Sequence, residues 1–108
     1  MFGASAFMRL FRKVFREQKT RLQIDWLTNT DERILKYLDE VDTESPSTIA
    51  AEIDRSAEYV SDRCRQLGLR GLLDPIERQS GVTYQLSELG RRYLADEIDA
   101  EELQELAG

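Results

Sequence analysis

Residues 45–67 read SPSTIAAEIDRSAEYVSDRCRQL, and the parsing of this stretch decides the fold. Ser45-Pro46 is a helix start. A serine oxygen accepts a bond from one of the orphaned first-turn amides, and proline at the first helical position loses no hydrogen bond. Ile49, Ala50 and Ile53 follow as a narrow apolar stripe. Asp54-Arg55-Ser56 then makes a turn, and Ser56 is placed to cap a further helix over about 57–70 with Val60, Cys64 and Leu67 on its inner face. Gly71 supplies a left-handed C-terminal cap. Two short helices therefore meet at a tight turn. The second one turns Glu58 and Asp62 outward, which raises the question of what an acidic face is for.

Upstream, Thr28 and Asp31 have the spacing of a capping box, and Ile34, Leu35, Leu38 and Val41 recur at helical intervals. The first helix is thus expected over about Asn29 to Glu40, with Asp42 to Ser45 as a short loop. Downstream the period changes. LLDPIER (72–78) reads as a strand that Pro75 confines to an edge or a bulge, QSG is a turn, and VTYQL (82–86) alternates Val82, Tyr84 and Leu86 on one face. That is a β-hairpin. Ser87 caps a fourth helix with Leu89, Tyr93 and Leu94 inward, and Gly90 permits a close approach to the hairpin. The last residues, 96–108, are acidic and weakly amphipathic through Ile98, Leu103 and Leu106. The order helix, helix, helix, hairpin, helix predicts a mainly α winged helix-turn-helix domain over 25–96, with 97–108 as an acidic tail. Its short helices share one small core because none buries its apolar face alone.

The chain has 108 residues, 41% of them hydrophobic, enough for one domain with a core and too few for two. No apolar run reaches membrane-spanning length. One cysteine and no histidine exclude an internal disulfide, a zinc finger and histidine-based catalysis, and fit a reducing cytoplasm. Carboxylate pairs such as Asp96 with Asp99 and Glu101 with Glu102 sit in the acidic tail, without a nucleophile or a phosphate-binding loop, so no catalytic site, metal site or cofactor is expected.

Charge is unevenly placed. Residues 1–24 carry six basic residues against Glu17, about +5, and the remainder about −11 with Lys36 as its one lysine. Such a surface suits concentrated salt, where repulsion among carboxylates is screened; an ordinary acidic protein of dilute cytoplasm is the competing reading. FMRLFRKVFREQ (7–18) puts Phe7, Met8, Phe11, Val14 and Phe15 on one helical side and Arg9, Arg12, Lys13 and Arg16 largely on the other. Its readings are a packing or dimer helix, which is favoured, a membrane-surface helix, or a basic arm.

WLTNTDERILKYL (26–38), SPSTIAAEI (45–53), YVSDRCRQL (59–67), GLLDPIE (71–77) and YQLSELGRRYLADEIDAEEL (84–103) together resemble the winged helix-turn-helix repressor-like proteins of halophilic archaea typified by the phage phi-H repressor. The resemblance covers about residues 25–103 and rests on order and spacing rather than on any single motif. It implies a cytoplasmic, dimeric transcriptional regulator on double-stranded DNA, with helix 57–70 in the major groove and the 72–86 hairpin as a wing. Carried over by position, Ala57, Glu58, Tyr59, Ser61, Asp62, Arg65 and Gln66 would face the DNA. Arg65 suits guanine, Gln66 adenine, and Ser61 a base or a phosphate. Tyr59 offers a hydroxyl to phosphate and a ring to a thymine methyl. Arg55 and Arg78 suit phosphate or the minor groove, and Ser45, Ser47 and Thr48 suit phosphate at a helix N-terminus.

Each residue has a plainer reading. The arginines can be solvated surface, Tyr59 can pack on a neighbouring helix, and Cys64 is core. Glu58 and Asp62 depart from a basic reading helix. Either a carboxylate accepts from a cytosine amino group, or Asp62 pairs with Arg65, three residues on, and holds its guanidinium. The alternatives to DNA binding are a protein-interaction module on the same scaffold, favoured by the acidic helix, and a membrane-associated regulator anchored through Phe7, Phe11 and Phe15.

Overall fold

The computed structural model describes residues 26–107; the expectations placed on residues 1–24 lie outside them. Helix α1 runs over Asn29–Glu40, α2 over Pro46–Ile53 and α3 over Ala57–Leu69. Strands β1 (Leu73–Arg78) and β2 (Gly81–Leu86) form an antiparallel hairpin, followed by α4 (Glu88–Leu94) and α5 (Ala100–Ala107). This is the winged helix arrangement that the sequence predicts.

The helix starts follow local chemistry. Thr28 Oγ1 accepts from the Asp31 amide at 3.0 Å while the Asp31 carboxylate accepts from the Thr28 amide at 2.9 Å, a complete capping box. Ser45, Ser56 and Ser87 cap α2, α3 and α4 by accepting from Thr48, Tyr59 and Gly90 amides. α2 stops at Asp54, which takes a left-handed conformation with φ of 58°. α3 ends in a Schellman motif. Gly71, at φ 83°, donates to the Gly68 carbonyl, and Leu72 donates to that of Leu67. Both leucines are fully buried, so the cap also seals the core.

The hairpin register pairs Leu73 with Leu86, Pro75 with Tyr84 and Arg78 with Gly81. Proline is tolerated for a specific reason. The Tyr84 amide and carbonyl point to the other edge of β2, where they exchange bonds of 2.8 and 3.1 Å with Glu44. Pro75 therefore sits opposite a residue that asks nothing of it, on an outer strand. The loop before α2 thus adds one bridge of a third strand to the wing, a pairing that the sequence reading treats as plain loop.

Ile34, Leu35, Ile49, Val60, Cys64, Leu67, Leu72 and Tyr93 form the centre of one core that the five helices of the described residues share with the hairpin. Gly90 is buried where α4 crosses the start of β1. A Cβ there would fall on the Leu72 carbonyl oxygen and press on the Leu86 side chain, so the expected close approach is present. In α5 the inward positions are Leu103 and Ala107, four apart, with Ile98 and Ala100 ahead of them. Leu106, expected on the same stripe, is 61% exposed, because three residues from Leu103 is the wrong side of the Leu103–Ala107 line.

One buried contact has no counterpart in the sequence reading. Arg63 Nε and Nη2 donate to the Asp31 carboxylate at 2.9 and 2.7 Å, and Nη2 also donates to the Trp26 carbonyl at 3.1 Å. Asp31 is completely buried and the Arg63 side chain is 18% exposed. The hydrogen bond to Asp31 raises the Arg63 guanidinium further above its ordinary pKa. A buried ion pair survives desolvation only when its remaining lone pairs are satisfied. Asp31 meets that condition through the Thr28 amide.

Three outcomes test this packing. Gly90→Ala is expected to destabilise the fold by about 1–3 kcal/mol in urea melts, since the backbone oxygen it meets has no room to yield. Asp31→Ala is expected to cost about 3–5 kcal/mol, because it removes a cap and strands a largely buried guanidinium. Burial, with the Asp31 charge adding to it, pushes the Cys64 thiol from its ordinary 9.0 up to about 12. The folded state therefore holds that proton where the unfolded chain releases it. The contribution is intact below about pH 9 and falls as pH climbs toward 12, readable as a declining melting temperature that Cys64→Ala flattens.

Candidate nucleic-acid interface

α3 has one side in the core and one side open. Val60, Cys64 and Leu67 are fully buried, and α3 packs on α2, α1 and β1. The opposite side is open: Ala57, Glu58, Tyr59, Ser61 and Arg65 are exposed, and Asp62 and Gln66 half-buried. The periodicity of three inward residues dictates this, because residues three and four apart share a face.

The arginines in and next to α3 have separate fates. Arg63 is taken inward by Asp31. Arg70, the C-cap, lies over the Trp26 ring at 4.5 Å. Arg65 is left as the cation on the open face. Its Nη2 donates to Asp62 Oδ1 at 2.6 Å, with the two side chains 67% and 47% exposed. The pairing expected from the i, i+3 spacing is thus formed. Glu58, one turn before Asp62, has no cation partner among the described residues.

The other candidates surround this face. Gln66 stands on its shoulder and lines a shallow cleft with Trp26, Thr28, Arg63, Leu67 and Arg70. Ser45 Oγ is engaged as the cap of α2 and bonds the Ser47 and Thr48 hydroxyls at 3.3 and 3.1 Å. Ser47 and Thr48 themselves are exposed on the first turn. Arg55, in the turn between α2 and α3, bends back to donate to the Asp54 carbonyl at 2.9 Å. Arg78 stands at the far end of the hairpin, exposed, with Nε 3.4 Å from Thr83 Oγ1. The side chains missed by sequence reasoning are Trp26, Arg63 and Arg70. They touch no open face of α3 but fix its setting from behind. Chain separation hides the first link, since Arg63 and Asp31 are 32 residues apart.

The electrostatics are unlike a basic groove. On α2 and the end of α1, burial raises the Tyr37 phenol pKa, and the carboxylates Glu52, Glu44 and Glu40 raise it further. Among the described residues no group of carboxylates and cysteine could hold a metal ion, and no helix is long and apolar enough to cross a membrane.

Comparison with known proteins agrees with this arrangement. Residues 20–106 match the winged helix-turn-helix phage repressor family. The repressor protein of Halobacterium phage phiH is 33% identical over 85 residues, spanning 76% of this chain and 94% of that protein. The crystal structure of the PhiH1 repressor-like protein from Haloarcula marismortui is similar with a TM-score of 0.61 at 37% identity, covering 70% of this chain and 85% of that one. Wild-type MarR from E. coli has a TM-score of 0.62 over 100% of this chain and 77% of its own, at 16% identity, a likeness of fold alone. The resemblance read from the sequence holds, and it places the protein among transcription regulators rather than enzymes. With residues 20–106 covered by one family and a repressor matched over most of its length, the chain belongs to the winged helix-turn-helix phage repressors.

Proposed function

We propose that this protein is a sequence-specific DNA-binding repressor that acts as a homodimer on a palindromic site, with α3 in the major groove and the β1–β2 hairpin against an adjacent groove. The observation that carries the reading is the asymmetry of α3. Its back is core and ion pair, and its front presents Arg65, Ser61 and Tyr59, all exposed and, among the described residues, not packed under another element. Arg65 reads guanine, Ser61 and Tyr59 contact bases or phosphate, and Gln66 reaches in from the shoulder toward adenine. Arg55, Arg78, Ser47 and Thr48 contact the backbone and set the register. The naming of the phage phiH relative as a repressor supports repression as the sign of regulation.

The acidic front is compatible with this role in concentrated salt. There counterion release adds little to affinity, and base contacts and shape carry more of it. The same carboxylates favour a second reading, a protein-interaction module on an unchanged scaffold. Pull-down from native lysate separates the two: a stoichiometric protein partner that persists after nuclease treatment favours the module.

The direct test is fluorescence anisotropy with the DNA upstream of the protein's own gene and with scrambled DNA, across a range of potassium chloride concentrations. A preference for the former that survives high salt is expected. Arg65→Ala is expected to lose about 1–3 kcal/mol of binding and to relax sequence preference. Retained affinity and preference in that variant would move the reading face elsewhere.

A further inference from the structure

Arg65 is exposed and Asp62 half-buried, with side chains 67% and 47% exposed, and the two meet at 2.6 Å, Nη2 donating to Oδ1. An exposed pair of this kind contributes little to stability. Its position on the open face of α3 gives it another consequence. A guanidinium carries five N–H donors in a fixed plane. Asp62 occupies one of them and leaves a fork for the two acceptors of a guanine edge. Without the carboxylate, Arg65 is a long, freely rotating cation that serves any phosphate as well as any base.

We propose that Asp62 is the specificity-determining residue of the reading helix: by neutralising and aiming Arg65 it suppresses phosphate binding and reserves the guanidinium for guanine. This rests on the DNA-reading role of α3 proposed above. The electrostatic half of the argument is simple. A phosphate that approaches the paired guanidinium also approaches the Asp62 charge, so the pair as a whole attracts the backbone weakly. A guanine edge is uncharged and presents acceptors in the plane of the fork, so it keeps its bonds. Glu58, a carboxylate one turn away with no cation partner among the described residues, deepens the rejection of phosphate without aiming any donor. Asp62 therefore lowers non-specific affinity more than specific affinity, and the ratio of the two rises.

The test uses the full chain. Wild-type protein first selects sites from a randomised duplex library, and binding to the enriched duplex and to a scrambled one is then measured across a salt series. Asp62→Asn removes the charge at nearly constant shape, and its exposure makes a folding defect visible as a separate change in the thermal melt. The variant is expected to lose about tenfold in discrimination at the guanine position. On scrambled duplex it is expected to bind more tightly, with the slope of log affinity against log salt steeper by about 0.9, the signature of one additional phosphate contact. Asp62→Glu, which keeps a carboxylate at the same spacing, is expected to retain most of the wild-type discrimination. Unchanged discrimination and salt slope in Asp62→Asn, or an equal loss in Asp62→Glu, overturns the role of Asp62 and leaves DNA reading by α3 intact. A library from which the wild type enriches no sequence overturns both.

Discussion

The carboxylate of Asp31 is the point on which the geometry of the domain depends. It closes the capping box that starts α1, and it receives two bonds from Arg63 in the middle of α3. Arg63 in turn holds the carbonyl of Trp26, ahead of α1. One buried group therefore ties the entry of the domain to α3, the helix proposed to read DNA. Hydrophobic packing alone would hold α3 against the core but would tolerate some rotation about its axis. A fork of two hydrogen bonds tolerates little, because rotation by one residue turns a side chain through about 100°. With Arg63 held at the flank, Arg65 has to look outward. The ion pair offsets much of its own desolvation rather than adding greatly to stability, and its consequence is orientation.

This division explains what could be read without coordinates. Every helix start from α1 to α4 was legible, since Thr28, Ser45, Ser56 and Ser87 each act on an amide three residues away. The C-terminus of α3 was legible for the same reason at Gly71. The inner faces followed from periodicity, as did the outward set on α3 and the Asp62–Arg65 contact within one turn. Interactions that depend on chain topology were not legible. Asp31 was seen as a cap and nothing else, because its second partner lies 32 residues away. Glu44 reads as loop, and its pairing with Tyr84 on the far side of β2 leaves β1 outermost, while the unbroken β1–β2 register shows Pro75 on an edge and not in a bulge. Gln66, expected on the reading face, is half-buried at its edge and lines the cleft with Trp26 and Arg70, a contact that needs the tertiary fold to be seen.

The commitment of two arginines to other contacts also shapes the chemistry of the open face. Arg63 is committed to Asp31 and Arg70 to the Trp26 ring, so the electrostatic character of the front is set by Glu58, Asp62 and Arg65 and is net negative. Among the described residues, cations toward the expected DNA side come singly, from the turn at Arg55 and the wing at Arg78. This face of the described residues therefore attracts a polyanion only weakly at long range, and the basic residues of the sequence are concentrated in 1–24 instead.

Whether that weakness matters depends on the solvent. At 1 M salt the screening length is about 3 Å, less than the spacing between a surface cation and a phosphate that is not in contact with it. A basic groove then gains little in encounter rate or in affinity, because the steering field has collapsed and few counterions remain to be released on favourable terms. Hydrogen bonds to base edges act inside that length and persist. An acidic surface, harmful to a DNA-binding protein in dilute buffer, loses most of its penalty under the same screening. The features that remain decisive are those of contact range: a helix held at one rotation, an arginine held in one pose, and a wing braced by the Glu44–Tyr84 bridge. On the proposed reading, the open face of α3 gives up indiscriminate attraction to DNA, which concentrated salt would have removed in any case, and keeps the short-range geometry on which discrimination between sequences would rest.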